Sequence, residues 1–399
     1  MERLISFVGL IFLIFVAWAM SADKKNINKR TILAGVFIQF VLGVLILKTA
    51  AGVYFFAAAN EFVSKILSFS DQGAAMIFGE GFREHYFAFS VLPTIIFMSA
   101  LMSVLFYLGI IQHIVKWLAV MMVKLMDVSG SESLAASVNI FVGQTEAPLV
   151  VKPYIQSMTK SELMCLMVGG FANIAGGVMA AYVGFGADAG HLLASSIISA
   201  PASILVAKLL LPEREVSVTK GKVSIEIEKA GENVLEAACI GASDGLKLAL
   251  NVAAMLIAFV AFTAMLNYGL GFFPDVNGQP LTFERILGWG FAPIAFLIGV
   301  PMSDALAVGT LLGKKMFLNE FIAYMDLQTL KDTLTPRGFT LATYALCGFS
   351  NFSSIAIQVG GIGELVPSRK KDLARLGFKA MLGGTIATLM TATIAGILL

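Results

Sequence analysis

The feature that most constrains this sequence is a series of long apolar stretches with few or no charged residues. Residues 4–22, for example, contain no acidic or basic side chain. A helix of about 20 apolar residues crosses the hydrocarbon core of a bilayer. Apolar residues make up 58% of the 399 residues and charged residues 14%, against roughly 25% charged residues in a soluble domain. The sequence therefore predicts an all-α polytopic membrane protein and excludes a soluble or disordered chain.

Basic residues predict the orientation of the spans. The loop after the first span carries four of them: Lys24, Lys25, Lys29 and Arg30. The positive-inside rule places that loop in the cytoplasm and the N-terminus outside. Counting spans from there puts the polar loop at 212–236 and the basic cluster at 369–371 in the cytoplasm. We therefore expect a multi-pass protein of the cell (inner) membrane with both termini outside.

Several function classes have no support in the sequence. The three cysteines stand far apart in apolar segments, without the spacing of a zinc site or a disulfide framework: Cys165, Cys239 and Cys347. The basic residues are scattered among short loops, so nucleic acid is not an expected partner. The sequence contains neither the H-E-x-x-H motif of zinc proteases nor a P-loop. We therefore expect a protein that is not an enzyme.

Two apolar segments contain residues that a straight spanning helix would avoid. These are Gly143, Gln144, Glu146 and Pro148 within 131–158, and Pro293, Gly299, Pro301 and Asp304 within 286–314. Non-helical backbone at membrane depth is tolerated where protein buries it, so each segment predicts a re-entrant hairpin. Glycines predict breaks in two further spans, at 169–170 and 176–177 in one and at 348 in the other. Residues 112–128 predict an interfacial helix.

The two interrupted regions share a short pattern. A hydroxyl–acid–alanine triplet at 145–147 precedes Gly-Phe-Ala-Asn at 170–173, and a second triplet at 303–305 precedes Gly-Phe-Ser-Asn at 348–351. We place each triplet at a hairpin tip. Paired broken segments in the two halves of a chain indicate a transporter site near the bilayer midplane. On the predicted topology the hairpins enter from opposite sides, so the repeat is inverted.

Carboxylates within apolar segments are costly and tend to be functional. The sequence offers Glu146, Asp304 and Glu320. A buried carboxylate can accept two hydrogen bonds at fixed geometry, which suits neighbouring hydroxyls such as those of a ribose. The alternative is a structural charge pair, for instance between Lys315 and one of these carboxylates.

Amide and aromatic side chains add groups that can recognise a base. Gln144 and Asn351 each offer a donor and an acceptor, which suits the edge of a nucleobase. Phe349 can offer an apolar or stacking wall, and plain packing is its alternative role. Together with a carboxylate, these side chains would suit a base and neighbouring hydroxyls.

The same interruptions predict a cation site. Asn139 and Asn173 lie in apolar helices, and their amide oxygens are hard ligands. Broken backbone after Val142 and Ile174 would free carbonyl oxygens, which coordinate Na⁺ in folds of this kind. The alternative role of each asparagine is a hydrogen bond to a neighbouring helix.

Three segments carry a resemblance to a known family. Residues 313–324, GKKMFLNEFIAY, fit the signature G-x-K-x₃-N-E-F-[VI]-A-[YMF]. Residues 143–148, GQTEAP, resemble the first hairpin tip of the same family, and residues 350–354, SNFSS, resemble its second broken helix. Over essentially its whole length, the chain resembles the bacterial concentrative nucleoside transporters.

This resemblance implies eight transmembrane helices and two re-entrant hairpins, assembled as a homotrimer. A transport domain would move as an elevator across a scaffold domain. The implied segments are 1–111 (N-terminal helices, mainly scaffold), 112–130 (interfacial helix), 131–211 (first hairpin and broken helix, transport domain), 212–284 (cytoplasmic loop and long scaffold helix), 285–366 (second hairpin and broken helix, transport domain) and 367–399 (C-terminal helix).

The resemblance also implies which residues bind. Those that face the base are Gln144, Thr145, Glu146 and Val178, with Phe349 packed near it. Those that hold the ribose are Glu320, Asn351 and Ser354. The Na⁺ ligands are the side chains of Asn139 and Asn173 and the carbonyls of Val142 and Ile174. The family more often has a hydroxyl residue where this chain has Asn173.

We therefore predict an importer of uridine-like, ribose-containing nucleosides that is driven by Na⁺ as the coupling ion. Thr-Glu-Ala-Pro at 145–148 resembles the Na⁺-coupled branch, whereas proton-coupled relatives tend to have Ser-Glu-Asn at this tip. The alternative is H⁺-coupled nucleoside symport, in which Glu146 or Glu320 carries the proton.

Overall fold

The computed structural model describes residues 1–79, 81–82, 87–221, 231–276 and 278–399, and the regular elements in these ranges are helices. Seven helical segments of this part are long and apolar enough to cross a bilayer: Glu2–Ala19, Lys29–Lys48, Ala88–Tyr107, Lys160–Gly184, Ala189–Leu210, Val234–Leu270 and Pro367–Leu398. The predicted all-α architecture is confirmed. The count of eight transmembrane helices stays a prediction.

Five helices form the first part of the fold: α1 (Glu2–Ala19), α2 (Lys29–Lys48), α3 (Ala50–Phe78), α4 (Leu92–Tyr107) and α5 (Ile110–Met126). The mostly apolar stretch that contains α2 continues in the sequence to about residue 56. The helix ends earlier because the Thr49 side chain accepts a hydrogen bond from Gly52 N (3.3 Å) and caps a new helix. The α3 helix continues through the mixed polar and apolar stretch after residue 60, and Glu84, His85 and Tyr86 are outside the described residues.

The segment in which the sequence predicts the first re-entrant hairpin forms two short helices, α6 (Gly130–Val138) and α7 (Ala147–Ile155). A broken helix follows, with halves α8 (Lys160–Ala172) and α9 (Gly176–Gly184), and then α10 (Ala189–Leu210). The break lies at 173–175, so the break predicted at 169–170 is wrong. Both of those glycines stay within α8. A Cβ on Gly170 would lie 3.0 Å from Gln144 Cβ, so this glycine serves close packing against the hairpin.

Seven helices form the second part: α11 (Val234–Leu270), α12 (Phe283–Leu297), α13 (Ala305–Phe317), α14 (Glu320–Thr329), α15 (Pro336–Leu346), α16 (Phe352–Leu365) and α17 (Lys370–Leu398). These helices follow the same order as α4 to α10. In each set a long helix precedes an amphipathic helix, two short helices, a broken pair and a final long helix. The structural repeat predicted from the sequence is therefore present.

The second hairpin lies further along the chain than the sequence analysis placed it. Its arms are α13 and α14, and its turn ends at Asn319, whose side chain accepts from Ile322 N (3.0 Å). The predicted tip at 303–305 is wrong. Asp304 lies at the far end of α13 and accepts from the backbone N (2.9 Å) and Oγ1 (2.5 Å) of Thr335, where α15 begins. The prolines and glycines of 286–314 therefore do not mark a hairpin tip. Pro293 is accommodated within α12, and α12 packs along α13.

The centre of the bundle is formed by α8, α9, α10 and α17, which are buried over most of their length, whereas α11 is largely exposed. The α1 helix packs against α17. Arg3 donates a hydrogen bond to the Leu399 carbonyl (2.6 Å), so both chain ends lie at the same end of the bundle. This agrees with termini on a common side of the membrane, and which side that is stays a prediction.

The described part of the polar loop, residues 212–221, is tied to the end of the bundle away from the termini. Arg214 forms an ion pair with Asp23 (2.6 Å), and hydrogen bonds from the Asn26 side chain and other groups hold the pKa of Asp23 below its ordinary value. Gly130 N, at the start of α6, donates to the carbonyl of Thr219 (3.0 Å). The loop is thus fixed against the first hairpin. Residues 222–230 lie outside the described residues.

Candidate functional site

The first hairpin tip and both helix breaks meet inside the bundle. Gly176 N, after the first break, donates to the carbonyl of Phe141 in the first tip (3.0 Å). Phe349 N, in the second break, donates to the carbonyl of Asn173 in the first (3.3 Å). Ser350 Oγ also crosses between the breaks and donates to the carbonyl of Phe171 (2.8 Å). Non-helical backbone is therefore gathered in one protein-enclosed region, as the bilayer requires.

Two carbonyls at the broken helix ends find side-chain partners within the protein. A helix end leaves up to four carbonyls without helical partners, and at membrane depth each must be satisfied locally. At the end of α15, Lys315 Nζ donates to the carbonyl of Ala345 (2.9 Å). At the end of α8, Ser199 Oγ donates to the carbonyl of Ala172 (2.8 Å). Gly348 permits the close approach of the two breaks, because a Cβ there would lie 2.8 Å from the Phe171 carbonyl oxygen.

Buried polar side chains link each hairpin tip to the opposite repeat. Glu320, at the start of α14, accepts hydrogen bonds from the Tyr182 hydroxyl on α9 (3.2 Å) and from Asn351 Nδ2 (2.8 Å). Asn351 Oδ1 accepts from Ser354 N (2.8 Å), and Ser354 Oγ accepts from Gln144 Nε2 on the first tip (3.1 Å). We call these five residues the tip network. It runs without interruption from one hairpin to the other.

The structure brings most of the predicted substrate residues to this region. Gln144, Glu320, Asn351 and Ser354 belong to the tip network and are nearly inaccessible to solvent. Two further predicted residues, Val178 on α9 and Phe349 in the second break, are also buried. Thr145 and Glu146 lie on the first tip next to Gln144. Thr145 is exposed, and Glu146 Oε2 is buried without a hydrogen-bond partner in the described part of the chain.

Two of the predicted cation ligands have side-chain oxygen atoms without hydrogen-bond partners in the described part of the chain. The amide nitrogens of Asn139 and Asn173 each donate to a carbonyl one turn earlier in the same helix (3.0 and 3.3 Å). Their Oδ1 atoms are buried and have no hydrogen-bond partner within the described ranges. Both amides lie beside Gly169. Among the described residues, no backbone N–H donates to the carbonyls of Val142 and Ile174. A cation would satisfy oxygens that are otherwise costly to bury.

Two other charged residues do not take the role considered for them. The charge pair suggested for Lys315 is wrong, because no carboxylate of the described chain lies within ion-pair distance of its ammonium. That ammonium instead donates to the Ala345 carbonyl and to Thr388 Oγ1 (3.2 Å). Asp304 has a structural role at the start of α15, far along α13 from Glu320.

Sequence reasoning missed two residues of the region. Tyr182 donates to Glu320, and Gln358 Nε2 donates to Gln144 Oε1 (3.1 Å) and to the carbonyl of Met167 (3.2 Å). Each lies four residues after a predicted site residue, Val178 or Ser354, on the same helix. Residues at this spacing share a helix face. Polar side chains at that spacing within apolar helices were therefore the available signal.

Three models of known protein families match the chain. They are described as the N-terminus and the C-terminus of Na⁺ dependent nucleoside transporters, at residues 8–81 and 191–396, and as nucleoside recognition, at residues 88–189. Together they cover most of the sequence, including both hairpins and both broken helices.

Individual relatives are similar over the full chain. Solute carrier family 28 member 3 of Mus musculus is 42% identical over 100% of this chain and 59% of its own length, so the chain spans about three fifths of that relative. An uncharacterized transporter of Haemophilus influenzae is 45% identical over 100% of this chain and 98% of its own. CNTnw in an inward-facing substrate-bound state superposes with a TM-score of 0.93, at 40% identity over 100% of this chain and 98% of CNTnw. A CNTnw double variant in an outward-facing state gives the same TM-score and identity, over 100% and 99%.

Proposed function

This chain belongs to the Na⁺-dependent, concentrative nucleoside transporter family, and we propose that it is a secondary active importer that moves nucleosides and Na⁺ together. The observation that carries the proposal is the tip network, a line of buried polar groups between two hairpin tips. Buried polar groups at bilayer depth are expensive, and they commonly mark substrate or ion pathways.

The tip network offers suitable groups for a nucleoside. The Glu320 carboxylate has about four acceptor positions, and it uses two of them, for Tyr182 and Asn351. In our proposal the remaining positions accept from two ribose hydroxyls, with help from Asn351 and Ser354. The base then lies towards Gln144, Thr145, Glu146 and Val178, with Phe349 beside it. Uridine-like, ribose-containing nucleosides are the proposed substrates.

The unpartnered oxygens of Asn139 and Asn173 support Na⁺ as the cotransported ion. The carbonyls of Val142 and Ile174 complete the proposed ligand set, and the amide of Asn173 replaces the hydroxyl more common in the family. Bound Na⁺ would order the first hairpin tip and so complete the site to which Gln144 contributes. By linkage, each ligand then raises the affinity of the other by the same factor.

The proposal also covers the movement of the transport domain and the assembly of subunits. CNTnw is known in inward-facing and outward-facing states, which supports alternating access in this family. We propose an elevator in which 131–211 and 285–366 move as the transport domain across a homotrimeric scaffold formed mainly by 1–111 and 212–284. The segments 112–130 and 367–399 act as the interfacial and C-terminal helices. The broad exposed apolar surface of α11 suits contact with lipid and with neighbouring subunits.

Uptake of labelled uridine into proteoliposomes tests the function directly. We expect accumulation with an inward Na⁺ gradient and none with an inward H⁺ gradient alone. Accumulation driven only by H⁺ would favour the second candidate, proton symport. Glu146 would then carry the proton, since its Oε2 is buried without a partner in the described chain. Accumulation under neither gradient, with uridine or other nucleosides, would remove the proposed function.

A further inference from the structure

Lys315 is the lysine of the family-like signature, and neither the nucleoside site nor the Na⁺ site uses it. It lies on α13, close to the second hairpin tip, and only 3% of its surface is exposed. A buried ammonium is costly unless it is compensated. The described part of the chain supplies no carboxylate within ion-pair distance of it. The burial of this lysine is therefore not explained by an ion pair with a carboxylate of the described chain.

The ammonium lies at the carbonyl end of a helix that stops inside the protein. It donates to the carbonyl of Ala345, in the last turn of α15, and to Thr388 Oγ1 on α17 (2.9 and 3.2 Å). The C-terminal end of a helix carries a partial negative charge, so a cation is favourable there. The next residues, 347–351, form the second break and carry Phe349 and Asn351. The position of Lys315 thus affects how the break presents these residues.

The first repeat has the same arrangement without a lysine. There too the first arm of a hairpin meets the end of the first half of a broken helix, α6 beside α8. At that point Asn139 and Asn173 carry buried oxygens without partners in the described ranges. The first repeat therefore offers buried oxygen ligands to a cation, whereas in the second repeat the chain itself supplies the cation.

We propose that the Lys315 ammonium is the permanent cation of the second helix break, the counterpart of the Na⁺ at the first. The inference rests on the proposed Na⁺-coupled function. It adds the number of coupling ions, since a chain in which Lys315 supplies one of the two cations binds one Na⁺ from solution. Lys315 is then a positioning residue. It holds the end of α15 so that Phe349 and Asn351 meet the nucleoside, and it fixes the number of coupling ions.

The test measures uridine binding to the purified full-length chain by calorimetry over a range of Na⁺ concentrations. The parent should show a Hill coefficient for Na⁺ of about 1, since cooperativity is limited by the number of sites. K315A leaves space for an external cation. At the Na⁺ concentration that half-saturates the parent, we expect at least tenfold weaker uridine binding, restored by high Na⁺ with a Hill coefficient rising towards about 2.

K315M removes the charge but fills the space, so high Na⁺ should not restore its binding. K314M is the matched control, because the neighbouring Lys314 is partly exposed and pairs with Asp326 (2.6 Å) outside the tip network. Its uridine affinity and Na⁺ dependence should equal those of the parent.

Uridine binding by K315M within twofold of the parent, with the same Na⁺ dependence, would overturn the inference and leave the proposed function intact. Absence of Na⁺-dependent binding in the parent itself would overturn both. Where the two neutral variants fail to fold, as judged by size-exclusion chromatography, K315R decides. A folded K315R that binds uridine supports the requirement for a positive charge at this position. A folded K315R that does not bind uridine overturns it.

Discussion

Replacing Glu320 with glutamine tests the proposed ribose site, because the change keeps the size of the side chain and removes its charge. The carboxylate accepts from Tyr182 (3.2 Å) on one oxygen and from Asn351 (2.8 Å) on the other. Both partners are donors here. A glutamine at this position presents an acceptor to one of them and an amide N–H₂ to the other, so the local arrangement is weakened as well.

The expected loss follows from the hydrogen bonds that the substrate would make. Hydrogen bonds to a charged group contribute about 1.5–3 kcal/mol each, so two ribose hydroxyls on this carboxylate account for at least about 3 kcal/mol. Since 1.4 kcal/mol corresponds to a factor of ten, uridine should bind to E320Q about 150-fold more weakly. Uptake at low uridine concentration should fall by a similar factor.

The assay compares uridine with 2′,3′-dideoxyuridine, by calorimetry at saturating Na⁺. The dideoxy compound lacks both hydroxyls, so E320Q should reduce its affinity far less than that of uridine. D326N is the matched control, since Asp326 lies on the same helix and its carboxylate pairs with Lys314 away from the tip network. Its uridine affinity should stay within about twofold of the parent, because this partly exposed pair lies outside the tip network.

Two results would contradict the reasoning. Near-parental uridine binding by E320Q would remove the ribose assignment outright. An equal loss of affinity for uridine and for the dideoxy compound would show that Glu320 supports the fold of the tip network without contacting the ribose.

Three further predictions concern the cation site, the helix breaks and a buried ion pair between α10 and α6. N173L should raise the Na⁺ concentration that half-saturates uridine binding at least tenfold, measured by calorimetry, because it removes an unpartnered buried oxygen; an unchanged value would exclude Asn173 as a ligand. G348A should lower the free energy of unfolding by about 1–3 kcal/mol through overpacking, because its Cβ would lie 2.7 Å from Thr388 Cγ2. G360A is the control, since the space around Gly360 is open, and it should not change the melting temperature. K208M should destabilise the fold by about 3–5 kcal/mol, because it leaves the buried Glu132 carboxylate without the lysine that pairs with it. K247M removes a lysine from an exposed ion pair and should not destabilise the fold.

Much of the site could be predicted from the sequence because its residues are unusual for their surroundings. Gln144, Glu320 and Asn351 are polar groups within apolar segments, and the cost of burying them points to function without any knowledge of the fold. Glycines and prolines within spans likewise indicate broken helices. The order of elements repeated in α4 to α10 and α11 to α17 could be recognised in part, since both Gly-Phe-x-Asn motifs lie at breaks that contact each other.

Hairpin boundaries could not be predicted in the same way. A proline or glycine marks an interruption but does not say which side of it forms the tip, so Asp304 was placed at the tip and Glu320 outside it. The structure reverses this, because Asn319 caps α14 and Asp304 binds the start of α15. The Asn319 cap is a local contact, whereas Asp304 and Thr335 stand 31 positions apart, and the sequence around Asp304 does not reveal that second contact.

The sequence by itself determined that this chain is a helical membrane protein with two interrupted regions, because apolar length and misplaced polar groups are properties of short segments. Only the tertiary structure decided which polar groups meet. Tyr182 joins Glu320, Gln358 joins Gln144, and Lys315 joins the end of α15 instead of a carboxylate. Each of these partnerships crosses between segments distant in sequence. Their partners are selected by packing, which brings most buried donors and acceptors within reach of a partner.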